Sequence, residues 1–142
     1  MAGLLEQAII LAVQAHRGQT DKAGQPYMLH PLRVMLRMET DLERIVAVLH
    51  DVVEDSTLTL TDLERAGFPK EVLDAVDCLT KRKAESYERL IQRAKSNTIA
   101  RRVKIADLED NMDPSRLHHV SEADQKRLEK YRRARAELIA EL

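Results

Sequence analysis

The sequence predicts an all-α protein, a single compact helical domain over residues 1–142. Apolar residues recur at spacings of three and four along most of the chain and almost nowhere alternate, which is the period of a helix and not of a strand. Capping and breaking residues punctuate that pattern at helix-length intervals. A length of 142 residues, with 44% hydrophobic and 33% charged content, suits one soluble domain with a real core.

The first helix carries the stripe Leu5, Ala8, Ile9, Ala12 and Val13, with His16 next on the same face as a buried, hydrogen-bonded histidine. The run from Gly18 to Pro26, with two glycines and a proline, breaks it as a polar loop. Pro31 suits the first turn of a second helix, where its missing N–H costs nothing. Thr40 followed by Glu43 is a capping box for the third, with the stripe Leu42, Ile45, Val46, Leu49 and Val53. Ser56–Thr59 reads as a loop. A short helix then ends at Gly67, and Pro69 starts the next, which buries Val72, Leu73, Val76 and Leu79. Tyr87, Leu90, Ile91 and Ala94 mark another helix, residues 98–112 a further one, and Pro114 lies just beyond it. Ser121 can cap a last long helix with Leu128, Tyr131, Arg135, Leu138 and Leu142 on one stripe.

The bulk numbers exclude some functions. A net charge of −1 removes the driving force for tight binding to a phosphate backbone, so no nucleic-acid partner is expected. The six basic residues between Lys126 and Arg135 read instead as the solvated side of a docking helix. A lone Cys78 cannot form an internal disulfide and reads as a small residue beside a packed helix in a reducing compartment. The apolar N-terminal stretch is too short and too polar to span a bilayer. The expectation is a cytoplasmic protein without membrane contact; oligomeric state stays open.

The chemistry concentrates in His50-Asp51-Val52-Val53-Glu54-Asp55, preceded by His30-Pro31 and followed by Asp107. On a continuous helix, His50 and Glu54 are neighbours, as are Asp51 and Asp55. Asp107 stands in the mostly apolar run Val103-Lys104-Ile105-Ala106, where an unpaired charge is costly. Lys104, Asp107 and Asn111 are expected on one face, opposite an apolar side marked by Ile99 and Ala106. A divalent cation satisfies this set together. Two imidazoles (His30, His50) and two carboxylates (Asp51, Asp107) suit manganese, iron(II) or zinc better than calcium. Glu54 and Asp55 then stand where they can orient a water or carry its proton. His118-His119 read as a solvated pair; Lys81, Arg82 and Lys83 are either a phosphate-steering cluster or an exposed turn; Tyr27 and Tyr87 either stack on a base or pack.

In these motifs the chain resembles the alarmone-hydrolase domain of RelA/SpoT-type proteins. The similarity runs through Ala15-His16-Arg17-Gly18-Gln19, Gly24-Gln25-Pro26-Tyr27-Met28-Leu29-His30-Pro31, the His50–Asp55 run, Leu79-Thr80-Lys81, and Val103-Lys104-Ile105-Ala106-Asp107 with Asn111. In order, it covers about three quarters of the chain. The resemblance implies an HD-type helical fold and a manganese ion (or another divalent transition metal) on His30, His50, Asp51 and Asp107. It implies removal of pyrophosphate from the 3′ position of (p)ppGpp, with Glu54 and Asp55 activating the water. Lys22, Tyr27, Lys104 and Asn111 become the expected substrate contacts, and the chain looks like a small stand-alone hydrolase. Two departures stand out. Where the family carries an Arg-Lys-Ser run whose arginine packs on guanine, this chain has Asp21-Lys22-Ala23. After Asp107 it has the acidic stretch Glu109, Asp110 and Asp113, which repels a polyphosphate if it faces the site. These keep two alternatives open: an HD-type hydrolase of another nucleotide phosphate, and a catalytically silent nucleotide sensor.

Overall fold

The structure is a computed structural model that describes residues 2–113, 115 and 119–140. Among them run nine α-helices: α1 (Leu4–His16), α2 (Leu29–Leu36), α3 (Asp41–Leu49), α4 (Val52–Asp55), α5 (Leu60–Arg65), α6 (Lys70–Leu79), α7 (Tyr87–Lys95), α8 (Thr98–Asn111) and α9 (Glu122–Ile139). No strand forms among the described residues; an isolated antiparallel bridge joins Thr20 to Pro26. The all-α expectation holds.

Helix α3 is the centre. It packs on α1, α2, α6 and α8, while α9 lies across α7 and α8. The sequence suggested a one-sided stripe for α3, but Ile45, Val46, Ala47, Val48 and Leu49 are all fully buried. Such a helix is enclosed on every side, which only a residue run apolar all round permits. Its start is the anticipated capping box: Thr40 Oγ1 accepts from Glu43 N at 3.2 Å and Glu43 Oε1 from Thr40 N at 3.3 Å.

Around it the register of the other helices follows side-chain size. On α1 the line Ala8, Ala12, His16 faces the core, while Val13 is 44% exposed. Val13 follows Ala12 by one residue, about 100° round the helix, and so falls off the buried line. Gly67 follows α5 with φ 99°, a left-handed conformation that ends the helix and places buried Phe68. Pro31 is the third residue of α2, still within its first turn. Ser121 caps α9 in a capping box with Asp124. Pro114, His118 and Leu142, which figured in the sequence reading, lie outside the described residues.

Two sequence expectations about the chemical segments change. The third helix does not run through the His50–Asp55 motif: α3 ends at Leu49, and α4 is a separate four-residue turn. Asp51 sits between them at φ −105°, ψ −2°. The backbone still coils the same way, since Asp55 N donates to Asp51 O at 3.0 Å. On α8, Asp107 is not opposite the apolar side but belongs to the buried face with Val103, Ala106 and Asp110.

Candidate metal centre

Three elements converge at the end of α3. His30 comes from the first turn of α2, His50 and Asp51 from the break after α3, and Asp107 from the buried face of α8. One ligand atom from each of the four lies within 4.8 Å of the others. His30 Nε2 is 2.7 Å and His50 Nε2 3.3 Å from Asp107 Oδ1, and His50 Nε2 is 3.1 Å from Asp51 Oδ2. His30, His50 and Asp107 are each less than 5% exposed.

Each imidazole is oriented from behind. His50 Nδ1 lies 2.5 Å from the carbonyl oxygen of Ala47, an acceptor that requires an N–H there. His30 Nδ1 lies 2.6 Å from Asp110 Oδ2, and Arg33 clamps that carboxylate with two bonds of 2.7 and 3.0 Å. With both Nδ1 atoms committed as donors, a neutral imidazole would turn its Nε2 lone pair toward Asp51 and Asp107. Lone pair against carboxylate is repulsive. The set is reconciled either by two further protons or by one divalent cation, and the donor chemistry therefore fits a metal. The carboxylates are held as well. Lys104 Nζ donates to Asp107 Oδ2 at 2.8 Å, Asn111 Nδ2 to Asp107 Oδ1 at 3.2 Å, and Tyr27 donates its hydroxyl to Asp51.

Charge follows this geometry. Burial disfavours protonation of His50, but Asp51 and Asp107 overcome it and raise its pKa well above 6.5. Burial likewise opposes ionisation of Asp107, yet Lys104 and His50 hold its pKa well below the usual carboxylate range. Asp55 shifts upward, through burial and the neighbouring Asp51 charge.

The stability of the fold should therefore depend on pH and on metal together. Without metal, a His50 pKa raised above its unfolded value stabilises the fold fully below about pH 6.5, and that contribution is lost as pH rises through the folded pKa. A bound divalent ion supplies the same positive charge without a proton. Melting temperature measured from about pH 6 to about pH 9 should fall in chelator and hold steady with manganese. Parallel curves would count against the site.

Glu54 and Asp55 lie at the exposed end of α4. Glu54 Oε1 accepts from the backbone N–H of Lys81, and the Asp55 carbonyl accepts from Gln19 Nε2 at 3.2 Å. Among the described residues no hydrogen bond joins their carboxylates to the four-residue cluster; the link is electrostatic, from Asp51 and His50 to Asp55. Lys81, Arg82 and Lys83 are an exposed turn whose first N–H serves Glu54.

Beside the cluster a cavity of about 300 Å³ opens between the 20–27 loop, the end of α8 and α9. Tyr27 and Asn111 are common to its wall and to the cluster's hydrogen bonds, and Lys22, Arg127 and Tyr131 also line it. Asp21 lines it too, but its Oδ1 accepts from Ala23 N and Gln25 N, both at 2.9 Å, so this carboxylate folds the loop. The acidic stretch after Asp107 mostly turns away. Asp110 is buried against His30 and Arg33, Glu109 bonds Arg135 at 2.9 Å, and Asp113 alone of the three lines the cavity.

No family model matches the sequence. Curated relatives do. A guanosine-3′,5′-bis(diphosphate) 3′-pyrophosphohydrolase of Vibrio cholerae is 33% identical over 123 residues, an alignment that takes in 76% of this chain. The bifunctional (p)ppGpp synthase/hydrolase SpoT of Escherichia coli is equally similar over the same span. A GTP pyrophosphokinase of Myxococcus xanthus is 31% identical over 143 residues, 88% of this chain. This chain is a homologue of SpoT/RelA-type proteins. It spans about a sixth of their length, 17% of the Vibrio and Escherichia proteins. A solved structure of a metazoan ortholog of SpoT that hydrolyzes ppGpp superposes with a TM-score of 0.80 at 20% identity, covering 99% of this chain and 88% of that one. That likeness establishes the HD-type helical fold.

Sequence reasoning missed the outer partners. Asp110 was read as a repulsive charge and is the residue that orients His30; its offset of three from Asp107 on a helix was the available signal. Arg127, read on the solvated side of the last helix, and Tyr131, read on its stripe, both line the cavity. Nothing in the sequence tells that α9 folds back beside the 20–27 loop. His16 is buried and bonded through Nδ1 to Gln19 Oε1 at 3.0 Å, as anticipated.

Proposed function

We propose that this chain is a manganese-dependent hydrolase that removes pyrophosphate from the 3′ position of (p)ppGpp in a reducing cytoplasm. The observation that carries the reading is the buried pair of imidazoles, each with Nδ1 committed as a donor and Nε2 turned onto Asp107, and His50 Nε2 onto Asp51 as well. The sequence kinship with a 3′-pyrophosphohydrolase supports the substrate class. When bound, a divalent ion on His30, His50, Asp51 and Asp107 polarises a phosphoryl oxygen and lowers the pKa of water.

The chain's own side chains then divide the remaining work. Water adds to the phosphorus attached to the 3′ oxygen, the bond between that phosphorus and the 3′ oxygen breaks, and pyrophosphate leaves. Asp55, its pKa raised, or Glu54 takes the water proton and returns it to the 3′ oxygen. Lys104, held at Asp107, and Lys22 on the cavity wall offset phosphate charge. Asn111 and Tyr27 link the cavity to the metal ligands, and Arg127 and Tyr131 close the wall in which the nucleoside lies.

One observation favours a second reading, the same chemistry on another nucleotide. Asp21 is built into its own loop, so the cavity has no arginine at the place where the family stacks one on guanine. A turnover screen of the manganese-loaded protein against ppGpp, pppGpp, their adenine counterparts and nucleotides with only 5′ phosphates tests both. Release of pyrophosphate from ppGpp supports the first reading. Equal or faster release from the adenine compounds shifts the account to the second. No release from any 3′-diphosphate overturns both.

A further inference from the structure

We infer that His16 and Gln19 form a positioning pair that sets the Glu54–Asp55 end of α4 relative to the metal centre. The inference rests on the proposed hydrolytic role of those carboxylates. Helix α4 has only four residues, and a single turn is unstable by itself. Something outside it must fix where its carboxylates point.

The orientation of the pair follows from its bonds. Gln19 Nε2 has two partners, the carbonyls of Ala15 and Asp55, each at 3.2 Å. Both are acceptors, so the amide nitrogen must face them and Oε1 must face His16. His16 therefore donates from Nδ1, and its neutral tautomer carries the lone pair on Nε2. Among the described residues that buried Nε2 has no hydrogen-bond partner, in a residue 1% exposed. Hydrogen bonding at Nε2 therefore does not explain why a histidine stands here. The ring does, however, bridge two parts of the site. It packs on Tyr27 at 5.0 Å between centroids, and Tyr27 in turn holds Asp51 and packs on His30 at 5.6 Å. On the other side, Gln19 reaches the Asp55 carbonyl across 36 residues of sequence. The pair thus joins the ring that buttresses a metal ligand to the backbone that bears the carboxylates.

Three metal ligands have supports outside the pair: His30 in Asp110, His50 in Ala47, and Asp107 in Lys104 and Asn111. Asp51 keeps its Tyr27 bond when Gln19 alone is changed, so Gln19→Met should leave metal and substrate binding in place. Gln19→Met removes both carbonyl bonds at similar size. It should lower kcat roughly 10–100-fold, the scale of a misplacement near 1 Å, with KM and manganese content unchanged. His16→Asn keeps a donor near the Nδ1 position and should retain more kcat than His16→Gln, which places its amide near Nε2. The decisive arm combines Gln19→Met with Glu54→Gln and Asp55→Asn: a positioning role predicts no further loss, whereas a general structural defect predicts an additive one.

Hydrogen exchange keeps the test independent of the substrate. In the manganese-loaded full chain, Gln19→Met should speed exchange of the amides at 52–56 and leave those of α3 and α8 protected. Unchanged exchange at 52–56, or a kcat loss that adds to the carboxylate variants, overturns the inference. A parent protein without turnover, combined with faster exchange at 52–56 in Gln19→Met, supports the positioning pair and counts against the proposed substrate alone.

Discussion

His50→Ala should strip the metal from an otherwise folded protein and abolish turnover. His50 contributes one of two imidazole nitrogens facing Asp107, and the core of α3 that precedes it packs without it. Elemental analysis after manganese loading should find about one ion per parent chain and far less in His50→Ala or Asp107→Ala, with the helical circular dichroism retained. Asp110→Asn is the graded control. It spares all four ligands and removes the charge behind His30, a kind of change that typically costs roughly 10–100-fold in metal affinity or activity. Equal metal content in parent and both alanine variants would place the ion elsewhere.

Glu54→Gln combined with Asp55→Asn should keep the metal and lose most of the rate. Proton transfer by a positioned side chain is worth about 10²–10⁴-fold. Among the described residues, the carboxylates of Glu54 and Asp55 are neither among the cluster's ligands nor, like that of Asp110, hydrogen-bonded to one of them. Both replacements preserve shape, and the amide oxygen introduced by Glu54→Gln can still accept the Lys81 N–H that Glu54 accepts now. The measurement is kcat at saturating metal and substrate, with bound manganese determined on the same sample. A double variant at the parental rate would reduce these carboxylates to charges at a helix end.

The fold was legible because its helices are local. Thr40 with Glu43, Gly67 and Ser121 each signal a boundary within a few residues of sequence, and all lie where the structure places a cap or stop. The four-residue cluster was legible for a different reason: Asp107 is expensive to bury unpaired in its apolar run, and two imidazoles with a second carboxylate, His30, His50 and Asp51, form with it a donor set suited to one cation. What was not legible depends on long-range packing. The break at Asp51 is imposed by tertiary structure on a run that reads as continuous helix. The enclosure of α3 comes from four other helices, and Ala47 and Val48 gave no sign of it in a one-sided pattern. The roles of Asp110 and Asp21 were hidden because a carboxylate reads as a free charge until its donors are known, here His30 with Arg33 and the loop amides of Ala23 and Gln25.

Anomalous diffraction from a crystal of the manganese-loaded protein, recorded at the manganese edge, tests the central claim most directly. The account predicts one strong peak per chain, in coordinating contact with His30 Nε2, His50 Nε2 and carboxylate oxygens of Asp51 and Asp107, with both Nδ1 atoms still bonded to Asp110 and Ala47. A crystal that shows no peak there, or manganese bound only at surface carboxylates, would contradict it.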